Sequence, residues 1–331
     1  MNQKGKILVT GGAGFIGYHL SKRLIREGFS VCGLDNMNDY YSPKLKEDRI
    51  SGLKEMGGDY SFVKGDLADK ETVDRLFNTF HPDTAVNLAA QAGVRYSIDH
   101  PASYIQSNIV GFFHILEACR HFPVSHLVFA SSSSVYGSQK KVPFSVDDPV
   151  DHPISLYAAT KKSDELMAYT YAHLYGIPST GLRFFTVYGP FGRPDMAYFS
   201  FAGKMVRGEP IRIFNHGDMQ RDFTYIDDII EGIMRIQACP PEKTEDSDPY
   251  RIYNIGNNHP VRLMDFIHIL EKEMGCTAEK EYLPMQPGDV YQTYADISAL
   301  QRDFGFAPNT PLEEGLRRFA RWYKSYYHVE S

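Results

Sequence analysis

Cysteine is scarce. Cys32, Cys119, Cys239 and Cys276 are spread through 331 residues, with no pair at metal-ligand spacing. Several fall in apolar runs, so buried free thiols in a reducing cytosol are expected rather than a disulfide framework. The 12 histidines form no close cluster, which argues against a metal site. Net charge is −6 and no Lys/Arg-rich block occurs, so nucleic acid is not an expected partner. No apolar stretch reaches the roughly 20 residues that span a bilayer. The opening "MNQKGKILVTGG" enters a strand-like run at once rather than a signal peptide. No membrane association is expected, and the cytoplasm is the expected location. A more local absence concerns Ser131, Ser132, Ser133 and Ser134, which follow the apolar run Leu127–Ala130 without one acidic residue among them.

What is present has a clear order. The composition, 43% hydrophobic and 23% charged, suits a globular chain with a sizeable core. Short, mostly continuous β-rich runs occur at Lys6–Thr10, Ser30–Asp35, Tyr60–Gly65, Thr84–Ala89, His126–Ser131 and Ser179–Phe185. Helical stretches alternate with them, among them Phe15–Gly28, Lys70–Phe80, Ala102–Arg120 and Leu156–Gly176. Unbroken apolar strands separated by helices predict an α/β fold, a Rossmann-type doubly wound parallel sheet. After Pro190 the alternation becomes irregular. The expected division is a nucleotide-binding domain over 1–185, with returns at about 222–238 and 250–256, and a smaller C-terminal α/β lobe over 186–221 and 257–331. "RDFTYIDD" and "RIYNIGN" read as those returns to the sheet. "CPPEKTEDSDPY" between them reads as a polar surface loop.

"KILVTGGAGFIGYHL" sets Gly11, Gly14 and Gly17 directly after the first strand and into a helix. Glycines there permit a tight turn and close backbone approach to a pyrophosphate, which the helix N-terminus attracts. The second strand ends at Asp35, 18 residues past Gly17. A carboxylate at that place can bind both ribose hydroxyls of NAD and would repel the 2′-phosphate of NADP. NAD is therefore the expected cofactor. Asp66 and Leu67 are expected to border the adenine, and Leu88, Ala89, Ala90 and Gln91 to run beside the pyrophosphate and ribose; simple loops would look the same.

Five tyrosines have a lysine four residues on: Tyr18/Lys22, Tyr40/Lys44, Tyr60/Lys64, Tyr136/Lys140 and Tyr157/Lys161. Position separates them. Tyr18 lies on the glycine-motif helix, and Tyr60 in a strand where the two side chains cannot meet. Tyr157 and Lys161 open the helix after the fifth strand, whose end carries the serines. A lysine cation on the same helix face lowers the phenol pKa and makes the tyrosine a usable base.

The glycine motif, Asp35, "NLAAQAGV", the serine run, "YAATK" and "RDFTYIDD" together resemble the extended short-chain dehydrogenase/reductase family over nearly the whole chain. The resemblance implies Ser132, Tyr157 and Lys161 as catalytic residues, with Ser132 lying 25 residues before Tyr157. It further implies Phe15, Ile16, Asn36, Asn108 and Phe184 as cofactor neighbours. "SSSSVYG", "SLYAATKK", "LRFFTVYGPFGRPDMAYF" and "QRDFTYIDDI" are similar to the UDP-glucuronate 4-epimerases. That likeness implies a UDP-sugar substrate, with Thr186 and Arg193 on the sugar carboxylate. Ala197, Tyr198 and Phe199 would stand near it. Arg221 would face the phosphates or ribose, and Asp289 the uridine ribose, with UDP between the lobes. Arg95 is either a phosphate or sugar contact or a structural ion pair.

Dehydratases and decarboxylases of the superfamily carry acidic residues where this chain has Ser133 and Ser134. Serine cannot serve as the acid or base that elimination needs, so these positions favour epimerisation; they equally suit backbone hydrogen bonding at a strand end. The expected reaction is 4-epimerisation of UDP-glucuronate to UDP-galacturonate through a 4-keto sugar. A UDP-glucose or UDP-N-acetylglucosamine 4-epimerase is the alternative, followed by UDP-glucuronate decarboxylase and a non-catalytic NAD-binding regulator. The helices at 102–120 and 156–176 carry more apolar surface than one buried face needs, including Ile105, Phe113, Leu166 and Leu174. That surplus suggests a homodimer through a four-helix bundle, unless the small lobe covers it.

Overall fold

The computed structural model describes residues 4–286 and 289–329. The large sheet has seven strands: β1 (Lys6–Thr10), β2 (Ser30–Asp35), β3 (Tyr60–Lys64), β4 (Thr84–Asn87), β5 (His126–Ser132), β6 (Ser179–Phe184) and β10 (Tyr250–Ile255). Their order is β10-β6-β5-β4-β1-β2-β3. β3, β2, β1, β4 and β5 pair in parallel, with Leu8 opposite Cys32 on one side and Ala85 on the other. Every residue of β2 and β6 is buried, so neither strand shows the alternation of a half-exposed strand. Strand order reverses between β1 and β4, so the crevice at their carboxyl ends is where a doubly wound sheet takes its ligand.

Local chemistry starts and stops the helices. Asp69 caps Lys70–Phe80 by accepting from Glu71 N. Ser155 caps Leu156–Tyr175 by accepting from Ala158 N, and Gly176 ends that helix with φ 67°. Leu8, Leu34, Phe77, Phe112, Leu127 and Phe129 lie in the core beneath.

The chain divides into two compact units: Met1–Gly137, Pro149–Arg183 and Ile230–Tyr253 in one, Ser138–Asp148, Phe184–Ile229 and Asn254–Ser331 in the other. The second unit contains a sheet of β7 (Thr186–Tyr188), β9 (Gln220–Tyr225) and β11 (Pro260–Arg262) in the order β11-β9-β7, and a parallel pair of β8 (Ile211–Ile213) with β12 (Lys280–Tyr282). Its helix Leu312–Tyr327 packs aromatic residues densely. Tyr198 meets Phe319 edge-on at 4.9 Å, and Phe199 meets Tyr323 at 5.4 Å.

Three expectations change. "RIYNIGN" joins the large sheet as β10, but "RDFTYIDD" does not: its strand is β9. Two contacts hold it in the second unit. Phe223 stacks on Phe266 at 4.3 Å, and the buried Asp222 carboxylate accepts from Asn257 N (2.7 Å), Ala295 N (3.0 Å) and Asn258 N (3.1 Å). The helix expected over Ala102–Arg120 is not continuous α-helix. It runs as α over Pro101–Tyr104, π over Ile105–Val110 and α over Gly111–His121. The widened turn carries Asn108, whose side chain is fully engaged inside the protein, a common setting for π turns. Cys32 and Cys119 are buried, but Cys239 is exposed and Cys276 partly so.

His126, the first residue of β5, is buried between Gln237 O (3.2 Å) and Thr180 Oγ1 (2.8 Å). These partners suit the neutral ring, and burial pushes its pKa from 6.5 down to about 4. The unfolded chain takes up this proton first, so the contribution is complete above 6.5 and is lost as pH falls toward 4. His126→Gln should flatten that acid dependence by about 2 kcal/mol in urea unfolding series at pH 7 and pH 4.5.

Candidate active site

β1 delivers the chain into a turn built for backbone approach. Gly11 has φ 66°, and a Cβ there would meet Ala89 N at 2.9 Å. A Cβ on Gly17 would stand 2.1 Å from Gly11 O, and one on Gly14 2.9 Å from the same oxygen. Gly14 is the N-cap of Phe15–Arg26 and offers no side-chain acceptor, so the first amides of the helix point outward with nothing from the cap upon them. Phe15 packs inward and Ile16 is half-buried.

Asp35 ends β2. Its Oδ1 accepts from Met37 N (2.9 Å) and lies 3.6 Å from Lys46 Nζ, while Oδ2 accepts from Ala13 N at 3.3 Å. Asn36 donates to Asp66 Oδ2 (2.9 Å), and Asp66 Oδ1 accepts from Ala68 N (2.8 Å), so the ends of β2 and β3 are joined through side chains. Leu67 is buried against Gly111, where a Cβ would be 2.8 Å away. Beyond β4, Ala89 N donates to Thr10 Oγ1 (3.1 Å), and Gln91 N donates to Asn108 Oδ1 (2.7 Å). Ala90 is half-buried beside them, and Phe184 is buried at the end of β6. The glycine cradle, the helix N-terminus and a carboxylate at the second strand's end fit a dinucleotide.

The tyrosine and lysine lie on the first turns of Leu156–Tyr175, which packs on β5 and on the 3-10 turn Ser133–Tyr136. Tyr157 is half-buried, its ring edge-on to Tyr104 at 6.0 Å. Lys161 is buried and donates to Ala130 O (2.9 Å) and Asp164 Oδ2 (3.0 Å). Asn108 reaches the same turn by donating to Thr160 Oγ1 (2.9 Å), which itself donates to Tyr157 O (2.8 Å). Asn108 thereby links the loop after β4 to the backbone of Tyr157.

β5 continues one residue further than expected, through Ser132. Ser132 Oγ accepts from Ser134 N at 3.2 Å, while Ser133 and Ser134 are half-buried in the 3-10 turn. Ser131 donates to Glu165 Oε1 (2.6 Å). Arg183 of β6 grips that carboxylate with both arms, Nε to Oε1 (2.8 Å) and a terminal nitrogen to Oε2 (2.9 Å), and its other terminal nitrogen donates to Tyr136 Oη at 3.0 Å. Sequence reasoning missed this network. Glu165 stands four residues past Lys161, but its partner is distant in sequence and either alone reads as a surface charge.

In the second unit Thr186 opens β7 and is half-buried. Arg193 lies two residues past Phe191, a non-glycine residue at φ 55°, and donates through Nε to Asp195 Oδ1 (3.0 Å), with a second arm on Oδ2. Ala197 is exposed, whereas Tyr198 and Phe199 are buried in the aromatic packing. Arg221 donates to Gln220 O (2.8 Å) and Tyr291 O (3.1 Å). Asp289 N donates to Gln286 O at 3.2 Å. Arg95, in the first unit, is exposed at the start of the short helix Tyr96–Asp99. Among the described residues no group of three His, Cys, Asp or Glu side chains has metal-site geometry, and no helix is long and apolar enough to cross a membrane.

Residues 7–256 match the profile of the NAD dependent epimerase/dehydratase family. The chain belongs to that family. Protein CapI of Staphylococcus aureus is 53% identical over 333 residues, covering 97% of this chain and 99% of that protein. A probable UDP-glucuronate 4-epimerase of Rhizobium meliloti (strain 1021) is 46% identical over 334 residues, 97% of this chain and 98% of that protein. The crystal structure of UDP-glucuronic acid 4-epimerase from Bacillus cereus, in complex with UDP-glucuronic acid and NAD, superimposes with a TM-score of 0.89 at 35% identity, over 97% of this chain and 100% of that one. For a member of the epimerase/dehydratase family, the locked state of Glu165 matters, since a free carboxylate beside the serines would be an acid or base.

Glu165 and Arg183 have side chains 3% and 4% exposed. Glu165→Ala leaves a guanidinium buried without its counter-ion and should cost about 3–5 kcal/mol in urea unfolding. A loss under about 1 kcal/mol would show that the pair does not hold the two elements together.

Proposed function

We propose that the protein catalyses NAD-dependent 4-epimerisation of UDP-glucuronate to UDP-galacturonate through a 4-keto sugar. The observation that carries this reading is the serine turn at the end of β5. It adjoins the helix that opens with Tyr157 and Lys161, and the carboxylate reaching it, Glu165, is occupied by Arg183. The likeness to UDP-glucuronate 4-epimerases along the whole chain supports it.

Each side chain has a role in this scheme. The Tyr157 phenolate takes the proton of the C4 hydroxyl, and the phenol so formed later returns it to the same oxygen. The Lys161 ammonium favours the phenolate form, and Ser132 Oγ donates to the C4 oxygen as it becomes a carbonyl. The chemistry supplied by bound NAD is reversible two-electron oxidation at C4. Gly11, Gly14 and Gly17 would admit its pyrophosphate, Asp35 and Asn36 its adenosine ribose, Asp66 and Leu67 its adenine, and the Leu88–Gln91 segment with Lys161 the remaining length.

Oxidation at C4 makes a uronate into a β-keto acid, which loses CO₂ readily when its carboxylate bond aligns with the ketone. An epimerase must hold the carboxylate out of that alignment. Arg193, with Thr186 as second donor, is assigned this task, and Asp195 orients the guanidinium beforehand. Arg221 and Asp289 are assigned to UDP. Ser133 and Ser134 offer hydroxyls to the sugar and no acid for elimination.

Incubating the purified protein with UDP-glucuronate and no added cofactor, followed by NMR, should show UDP-galacturonate. A UDP-pentose product would make it a decarboxylase, and an unchanged substrate with or without added NAD would favour a non-catalytic role. Arg193→Ala should lower uronate turnover at least tenfold, the worth of about 1.4 kcal/mol, or release UDP-pentose. Clean epimerisation at the wild-type rate would remove Arg193 from the carboxylate.

The finer reading is a cytoplasmic homodimer. Phe113 and Leu166, on the helices Gly111–His121 and Leu156–Tyr175, are 43% and 56% exposed, and Leu174 and Tyr175 extend the apolar surface. Leu166→Glu together with Phe113→Glu should convert the protein to a monomer in light scattering; an unchanged mass would place the interface elsewhere.

A further inference from the structure

The proposed lysine has a companion that the reaction does not require. Lys161 and Asp164 stand one helical turn apart, each side chain 2% exposed. Asp164 Oδ2 accepts the lysine's hydrogen bond at 3.0 Å, whereas Oδ1 is buried with no partner among the described residues. A buried carboxylate with an unsatisfied oxygen costs stability, and an asparagine would accept the same bond without the charge. The charge itself therefore calls for an explanation.

We propose that Asp164 is a positioning residue for the acid/base pair: it fixes the Lys161 ammonium and offsets part of its field, so that the cation acts less strongly on Tyr157. The inference rests on Tyr157 and Lys161 being that pair. The benefit lies in the two halves of an epimerisation. The phenolate must take a proton in one half and the phenol give it back in the other, so a cation that holds the phenolate too strongly would hinder the return.

The groups acting on the Asp164 carboxyl limit its charge to the alkaline side of about pH 7. Burial pushes it up to about 7, Lys161 pulls it down, and Glu165 adds a smaller upward push. Both charged neighbours are on its own helix. From the elements packed behind, β5 contributes the Ala130 carbonyl to Lys161, and Arg183 of β6 is paired with Glu165. Lys162 also faces Glu165, 3.6 Å away.

The test is the pH dependence of kcat for epimerisation of UDP-glucuronate by the wild type, Asp164→Asn, Asp164→Ser and Tyr157→Phe. Where the wild-type carboxylate is charged, above about pH 7, its loss should move the rising limb of kcat to lower pH by about one unit, in the same direction for both neutral variants. A residue that only supports the helix would lower kcat evenly and leave the limb in place; that result, or superimposable profiles, overturns the proposal. Tyr157→Phe reports separately. If it retains wild-type turnover, the assignment of the acid/base falls, whatever the Asp164 variants do.

Discussion

The buried pair of Glu165 and Arg183 is the interaction on which the rest of the site depends. Its atoms come from the helix Leu156–Tyr175 and from β6, and it gathers two more elements. Ser131 binds the carboxylate from the end of β5, and Tyr136 receives the guanidinium from the turn after it. The pair thus joins the strand that carries Ser132 to the helix that carries Tyr157 and Lys161. Two buried charges are expensive alone, and removing one partner costs more than the pair contributes in net stability. What the pair supplies is position, since its fork geometry permits one arrangement of helix against sheet.

Around that fixed point the polar groups pass contacts from one element to the next. Asn108 connects Gln91 to Thr160, and Thr160 bonds the carbonyl of Tyr157. Lys161 fastens to the Ala130 carbonyl at the base of the serine run. Each of these side chains is buried, where an unmade hydrogen bond is costly, so each restricts its neighbours. The half-buried Tyr157 is held by its backbone and by the Tyr104 ring, which leaves its hydroxyl outside this bonding.

How much of this was legible in the sequence follows from the range of each signal. Strands buried on both faces read as continuous apolar runs, so β1, β2 and β6 were found nearly to the residue. The glycine turn was legible because a missing Cβ is a local property, and the structure places backbone where those Cβ atoms would be. β9 was misplaced because its apolar residues declare burial without naming the sheet; Asp222 decides, through amides 35 and 73 residues away. The π turn at Ile105–Val110 was hidden because its cause, Asn108 bonding residues 17 and 52 positions distant, leaves no local periodicity. Arg193 was expected from its motif, but its pairing with Asp195 was not drawn from the same stretch.

That pairing bears on how a uronate would be handled. A free guanidinium on a turn samples many rotamers and loses that freedom on binding, at roughly 0.5–1.5 kcal/mol for such a side chain. Asp195 has already ordered Arg193, and Phe191 in the left-handed region fixes the turn before it. The arrangement exchanges raw attraction for direction. A carboxylate partner weakens the pull of Arg193 on a second carboxylate, but it fixes the plane of the guanidinium. For a β-keto acid the direction of the carboxylate matters more than the strength with which it is held, because orbital alignment rather than charge governs loss of CO₂. The serine run bears on the same need. With hydroxyls where a lyase would carry an acid, and with Glu165 engaged by Arg183, a 4-keto sugar at these serines would meet no acid for elimination.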